Sequence, residues 1–524
     1  MFSTQKTVHH LPNEILEKIF SHLSVYELAR AANVCRRWAE LLQDTRLWKG
    51  KRYDVEEIEK KDDILLVAGV WPALIYLNLV KGDRFRMSLN VAGASVELPN
   101  LTDKTIHSIV GTLMTKTLSV DVRLLDEGLE NCLAVQTQNL LRLSVTIPPG
   151  PLNRDMIKRT ESSLKALAHT FSIGAVPSLR SLRISSESAA DAKYDSCAGS
   201  EVILSLRSCP ELKQLRISGC TCVSWKMVGR RDELRVLSVV HSKMKEFLIH
   251  EQCQNLRDIT LEHCPFLKKI QFWAKHHNLN LQSLRICNTS INSEALEYVC
   301  KAAPGLDVLV IQSCPKITFT SFVRHCFNLQ HFELSKWSPD EKYFYFDLAL
   351  LPSGLRHLSM MNTTVREEHM DHILKRLPML ETLNLGGCVC ISSVSFLEHC
   401  PELVDLNLSG LCQVPATSFS VLAELRKLRN LNLRNCSLSS NLLCGILQKM
   451  PNLKKLDLSC IQTIGDLFFV TKCHSLRCLN MSHCPRLSPD ITELRQLTDV
   501  RTLRIYGVPG RPFITDLERD IHNN

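Results

Sequence analysis

A phrase of the form L-x-x-L-x-L returns along this chain about every 24 residues. It reads LKQLRI from Leu212, LQSLRI from Leu281, LETLNL from Leu380, LRNLNL from Leu428 and LKKLDL from Leu453. Between Leu179 and Val500 it occurs 14 times, and apart from one step of 33 residues the spacings run from 22 to 26. A fixed period in this range predicts a stack of like units, each touching only its neighbours, and excludes an ordinary globule with one core. Strand side chains alternate faces with period two. The fourth and sixth residues of the phrase therefore point into the stack, and the third, fifth and seventh point to solvent. The segments between phrases, such as SEALEYVCKAAP after Ile291 and SNLLCGILQKMP after Ser439, carry apolar residues at helical spacing. They predict an outer helical layer. Strands pack closer than helices, so the stack should curve with its parallel sheet inside. Each buried Leu contributes roughly 1.5–3 kcal/mol before entropy is counted, enough for neighbours together but not for one unit alone.

Six cysteines, Cys220, Cys264, Cys314, Cys388, Cys436 and Cys484, sit eight residues after the first Leu of a phrase. Five more, Cys209, Cys253, Cys326, Cys400 and Cys473, sit three residues before it. This pattern resembles the cysteine-containing leucine-rich repeats. Half of the 22 cysteines thus have a place set by the repeat. No C-x-x-C pair occurs and the start, MFSTQKTVHHLP, has no apolar leader, so reduced, structural, intracellular cysteine is expected rather than disulfides or zinc. The pairs Cys220/Cys222 and Cys388/Cys390 read as ladder positions, and Cys478 with Cys473 and Cys484 does not make a metal site. No metal and no cofactor are expected. The net charge of +9 is spread along the chain, without the aromatic-interleaved basic stripe of a nucleic-acid binder. The apolar run from Ile64 to Val80 is at the short limit for a membrane span and contains Pro72. A buried helix, a turn and a first repeat strand explain it, and no membrane partner is expected.

Residues 8–48 stand outside the period. Pro12 suits a helix start, and Ile15, Leu16, Ile19, Phe20 and Leu23 then make one apolar face. Ser24 and Glu27 form a capping-box pattern for a second helix. Val34, Cys35, Trp38, Leu41 and Leu42 place a third, and Leu47 and Trp48 close the unit. About 40 residues cannot enclose so many large apolar groups. Some must face a partner or pack against the first repeats as a cap.

The segment closely resembles the F-box, with Leu11-Pro12, the Ile15 to Phe20 helix, Val34-Cys35-Arg36-Arg37-Trp38 and Leu47-Trp48 all in place. With the repeats behind it, the chain resembles the F-box/leucine-rich-repeat proteins. The resemblance implies an α/β fold: a three-helix F-box followed by a curved solenoid, with a parallel inner sheet and outer helices, of roughly 17–19 repeats. It also implies docking on the Skp-type adaptor of a cullin–RING ubiquitin ligase. Leu11, Pro12, Ile15, Leu16, Ile19 and Phe20 then lie in or beside the adaptor contact, with Val34 and with Trp38, the latter open between contact and local core.

The expected organisation is F-box 8–48, linker helices 49–73, irregular repeats 74–178, regular repeats 179–508 and a short tail 509–524. Degenerate strands are expected near Leu118 and Leu140, and an exposed loop in the long step after Leu179. Trp337 at a Cys position, with KYFYFD at 342–347 after it, reads as core filling a wider turn. The alternation rule puts Arg183, Arg216 and Arg285 on the solvent side of the sheet, then Asn384, Asn407 and Asn432. Arginine forks suit a carboxylate or phosphate, so the first three suggest an acidic or phosphorylated substrate; the asparagines equally follow the family's LNL habit, with their amides hydrogen-bonding neighbouring strands. The reading that follows is a substrate-recognition subunit of an SCF ligase, not itself an enzyme, resident in cytoplasm or nucleus. The alternatives are a binding scaffold outside ubiquitin transfer and a small-molecule sensor.

Overall fold

The computed structural model describes residues 11–42 and 47, except 24 and 33, then a set of strands with short flanks between 76 and 256. It goes on with 257–272, 279–337, 350–469, 473, 475–487, 500–507 and 517–518. The chain divides into two compact units, Met1–Leu256 with Phe272–Ala274, and Arg257–Gln271 with Lys275–Asn524.

Three helices open the first unit: α1 (Asn13–Ser21), α2 (Val25–Ala32) and α3 (Arg36–Leu41). Pro12 sits one residue before α1, and its carbonyl accepts from the amides of Ile15 and Leu16 at 3.2 and 3.1 Å. Leu16, Phe20, Leu28, Ala31, Ala32, Leu42 and Leu47 are buried. The Phe20 ring meets Trp38 edge-on, with centroids 5.1 Å apart and planes at 70°. Ser24 and Trp48 lie outside the described residues.

Six strands of the first unit pair in parallel, each with the next: Tyr76–Lys81, Thr117–Asp121, Arg142–Ile147, Ser181–Ser186, Gln214–Ser218 and Val236–Val240. The expected strands near Leu118 and Leu140 are among them. Two further strands, Phe85–Val91 and Ala94–Pro99, run antiparallel beside the first. They form a meander, a pairing that repeat strands do not make. The outer layer also departs from the expected helices. Val202–Ser205, Ser224–Val228 and Glu246–Ile249 pair in parallel as a second sheet. The phrases at Leu212, Leu234 and Leu256 are only 22 residues apart. A strand rises about 3.3 Å per residue against about 1.5 Å for an α-helix, so it spans the return with fewer residues.

In the second unit eleven strands form one parallel ladder from Asp258–Cys264 to Thr502–Arg504. The short strand Leu517–Glu518 then pairs antiparallel with the last of them. The helical expectation holds here in several repeats. The 25-residue steps from Leu281, Leu355 and Leu428 hold α4 (Ser293–Ala302), α5 (Glu367–Leu374) and α6 (Ser440–Leu447). The 23-residue steps from Leu306 and Leu380 hold five-residue 3-10 helices, Ser321–His325 and Ser395–His399. A 3-10 helix rises about 2.0 Å per residue and covers the gap with a shorter segment. Asn292 and Ser439 cap α4 and α6 by accepting from the amides of Ala295 and Leu442. Trp337 is core, as expected, and its Nε1 donates to the Ile317 carbonyl at 2.7 Å. Residues 342–347, the linker 49–73 and the loop after Ser186 lie outside the described set. Among the described residues no helix is long and apolar enough to cross a membrane.

One backbone feature recurs through both units. Among the described residues thirteen have positive φ, and every one lies seven residues after the first residue of a phrase: Gly219 and His241 in the first unit, and His263 through Gly507 in the second. Nine of them are not glycine. The left-handed turn lets the residue's amide reach the next strand: Asn362 donates to the Gly386 carbonyl at 2.8 Å and Asn435 to Ser459 at 2.9 Å. The bond offsets the steric cost of about 1–3 kcal/mol. In six of these repeats the next residue is cysteine, and Cys264, Cys314, Cys388, Cys436 and Cys484 are turned inward and buried. Cys388 donates to the Met360 carbonyl at 2.9 Å, Cys436 to Leu408 at 3.2 Å and Cys484 to Leu458 at 3.3 Å. These thiols are structural. Burial pushes Cys436 up to about 12, against hydrogen bonds from the Leu411 and Gly410 backbone, and burial alone does the same for Cys400. Neither thiolate, the form that ligates metal, exists near neutral pH.

Candidate functional site

Two surfaces stand out, the first on the three helices. Leu16 and Phe20 face inward and are fully buried. Of the residues carried over from the resemblance they support the surface and do not line it. Ile15 and Ile19, one turn apart on α1, are 45% and 43% exposed, and Val34, just before α3, is 55% exposed. Pro12 is exposed, while Leu11 and Trp38 are half-buried. The packing of Phe20 on Trp38 holds α1 to α3.

Arg37 fixes the start of α1 against α3. Its Nε and Nη2 donate to Asn13 Oδ1 at 3.0 and 2.6 Å, and Nη2 also donates to the Leu11 carbonyl at 2.7 Å. Sequence reading passed over this positioning role, although the double arginine of VCRRW stood in plain view. Arg36 next to it pairs only with Glu40 at 3.0 Å on an open surface, a contact worth little.

The second surface is the solvent side of the repeat strands, and its two units differ. In the first, Arg183 and Arg216 are direct register partners on adjacent strands, and both are exposed. Arg142, which the alternation rule could have found in LLRLSV, opposes Ser181 one strand away and is also exposed. Arg285 belongs to the other unit. It opposes Thr260 and Val310, close enough to Cys287 to act on its charge, as are Glu262 and Glu333. Burial, then Glu262, Cys314 and Glu333, push the Cys287 thiol up to about 12, and Arg285 only partly opposes them. Nearby, the His331 and His357 rings lie 5.5 Å apart. Burial, with His357 and Arg285, holds His331 below its ordinary value despite Glu333 and Asp307.

Farther along the second unit an open groove of about 550 Å³ runs over the strands from Thr382 to Arg504. Asn384, Asn407 and Asn432 line it. Each accepts through Oδ1 from the amide two residues on, Gly386, Ser409 and Arg434, at 3.0 Å. Asp457 and Asn480 repeat the pattern with Ser459 and Ser482 at 2.9 and 3.2 Å. The side chain thus closes the end of its own strand, and the recurring asparagine has a local structural reason. Among the described residues no group of three or more His, Cys, Asp and Glu could hold a metal ion.

Residues 8–52 match the F-box-like family. The chain is similar to F-box/LRR-repeat protein 21 of Bos taurus, 23% identical over 430 residues, which cover 81% of this chain and 82% of that protein. It is also similar to "Putative RNA-binding protein EEED8.10" of Caenorhabditis elegans, 26% identical over 275 residues. That match covers 48% of this chain and only 36% of the relative, so the shared part is about a third of that protein's length. Among solved structures, the TLR13–ssRNA13 complex aligns with a TM-score of 0.48 at 15% identity, over 84% of this chain and 62% of that one.

Proposed function

From an N-terminal F-box-like domain and homology over most of the chain to an F-box/LRR-repeat protein, we propose that this protein is the substrate-recognition subunit of an SCF-type cullin–RING ubiquitin ligase. The adaptor docks on the helical surface of Leu11, Pro12, Ile15, Ile19 and Val34. The solvent side of the repeat strands holds the protein substrate. Such a subunit breaks no bond. It raises the local concentration of substrate lysines beside a charged conjugating enzyme.

The observation that carries the reading is the exposure of Ile15, Ile19 and Val34 on a unit that buries Leu16, Phe20, Leu28, Leu42 and Leu47. Covering each of them is worth up to roughly 1.5–3 kcal/mol, and a partner with a matching apolar groove collects that energy. The domain boundaries follow from the same reading: F-box 8–48, linker to 73, irregular repeats to 178, regular repeats to 508.

The test is capture of the Skp-type adaptor and cullin by the purified chain, beside Leu11→Ala/Pro12→Ala and Ile15→Glu/Ile19→Glu. The second pair changes exposed residues only, so the helices keep their core. Capture by the wild type and its loss in both variants is expected. A folded wild type that captures nothing would make the helices a cap, and the chain a binding scaffold outside ubiquitin transfer.

A further inference from the structure

We infer that Arg142, Arg183 and Arg216 form a recognition site for a phosphate group carried on a segment of the protein substrate. The inference rests on the receptor reading above and says what kind of substrate it serves.

The three arginines stand on three consecutive strands of one sheet. Arg183 faces Arg216 directly, and Arg142 lies one strand and two residues away, in the row of Ser181 and Gln214. Strands lie about 4.8 Å apart and two residues along a strand span about 7 Å. All three guanidinium groups, on arms of about 6 Å, can therefore meet at one point above the sheet. The fixed forks of arginine suit a phosphate, whose oxygens accept several N–H bonds at once.

The surroundings point the same way. On the strands that carry the arginines and on Val236–Val240, the other outward positions with described side chains are Ser144, Ser181, Ser185, Gln214, Ser218, Val236, Ser238 and Val240. Hydroxyl and amide donors thus flank the forks, and no acidic residue stands among these positions; Asp121, on the neighbouring strand, opposes Thr146, four residues along from Arg142. Arg180, one residue before its strand, has Glu211 at 3.3 Å. No described acid pairs with Arg142, Arg183 or Arg216. Two like charges directly opposite on neighbouring strands destabilise a sheet, and only an anion bound from outside relieves them. The equivalent Arg285 of the second unit has Glu262 and Glu333 close by and lacks this excess.

A nucleic-acid strand fits the face less well. Its bases stack on aromatic side chains, and none stands on the three strands that carry the arginines. The charge is confined to three residues and suits one doubly charged group better than a run of phosphates.

The experiment uses the full chain bound to its adaptor and a degenerate peptide library with a fixed central phosphoserine. The same library with serine, and a single-stranded RNA of 20 nucleotides, serve as references. At about 0.15 M salt, where long-range charge effects are screened, phosphopeptides should be retained at least about tenfold over serine peptides and over RNA. Arg183→Lys/Arg216→Lys, which keeps the charge and loses the forks, should remove most of that preference. Arg142→Gln should lower it several-fold, and Arg434→Gln in the second unit should leave it unchanged. Melting curves confirm that the variants are folded. Equal retention of both libraries, retention of RNA as strong as that of phosphopeptide, or indifference to the Lys variants would overturn the inference. Adaptor capture is scored on the same samples, so a chain that binds adaptor without phosphate preference defeats only this inference. A chain that shows the preference without binding adaptor defeats only the receptor reading.

Discussion

Where the first unit's returns are described, the chain comes back through strands, Val202–Ser205, Ser224–Val228 and Glu246–Ile249; in the second, after Lys269–Phe272, described returns run through α-helices and 3-10 helices. The inner phrase is the same in both, and so is the left-handed residue seven positions after its first residue. The difference shows which part of the repeat is constrained. Inner strands stack at a fixed spacing, and each buries two aliphatic side chains, as Leu215 and Ile217 or Leu383 and Leu385 do. The outer segment has only to span the return, and segments of different rise per residue do so in repeats of different length. Length alone does not decide the outcome. The 25-residue step from Leu256 carries a strand, Lys269–Phe272, where the steps from Leu281 and Leu428 carry helices. The faces differ as well: three arginines on consecutive strands in the first, mixed charge with asparagine-closed strand ends in the second.

The sharpest way to break the comparison is to remove one inner Leu from each unit. Leu215→Ala and Leu383→Ala should each cost about 2–5 kcal/mol, the range for emptying a buried Leu site. In a stack coupled only through neighbours, lost amide protection should stay within the unit that was changed. Hydrogen exchange that rises equally in both units would show one cooperative block instead. The left-handed turn gives a smaller contrast. Gly387 has φ +73°, and a Cβ there would come within 2.0 Å of Asn362 Oδ1, while at Gly410, φ +75°, it would meet nothing closer than 3.6 Å. Gly387→Ala should cost about 1–3 kcal/mol and Gly410→Ala nearer 1. Thermal melts that rank them the other way would show that Asn362 moves aside freely.

The smallest effect concerns acid, and it distinguishes the helical outer layer. Asp371 on α5 lies 2.6 Å from Lys375 and 2.8 Å from His399 of the next 3-10 helix. Glu297 on α4 holds Arg324, His325 and Ser321 of its own neighbour in the same relation. Hydrogen bonds from Lys375 and His399 hold Asp371 below its ordinary 3.8. Burial works to raise Glu297, but its three partners bring it below 4.5. Both acids are depressed in the folded chain. Their stabilisation is therefore complete above about pH 4.5, and it fades as the pH falls through the lower folded values. Asp371→Asn should flatten the fall of melting temperature between about pH 4.5 and 3 and leave the strand-backed first unit unaffected. An unchanged slope would show that solvent already screens the pair.

Much of this was legible in the chain. L-x-x-L-x-L placed the inner strands, because period two and a buried Leu admit one orientation. The F-box segment placed three helices, and Trp337 was recognised as core from its cysteine position. The outer strands escaped because SWKMV and EFLI are too short and too evenly apolar for a period to separate strand from helix. The meander at 85–99 escaped because a hairpin of alternating residues looks like a degenerate repeat. The adaptor-side residues were named as one face, yet only the packing divides Leu16 and Phe20, which hold the helices together, from Ile15 and Ile19, which do not. Arg142 was missed because the phrase around it sits where the period is weak.

The short strand Leu517–Glu518 runs against the direction of every inner strand of its unit. A parallel ladder has no intrinsic last rung, and its final edge is a template on which another molecule could go on building. A strand of reversed polarity presents the wrong hydrogen-bond spacing to any further repeat. Two residues thereby act as a punctuation mark on that edge, and deleting them should raise concentration-dependent association, read by sedimentation.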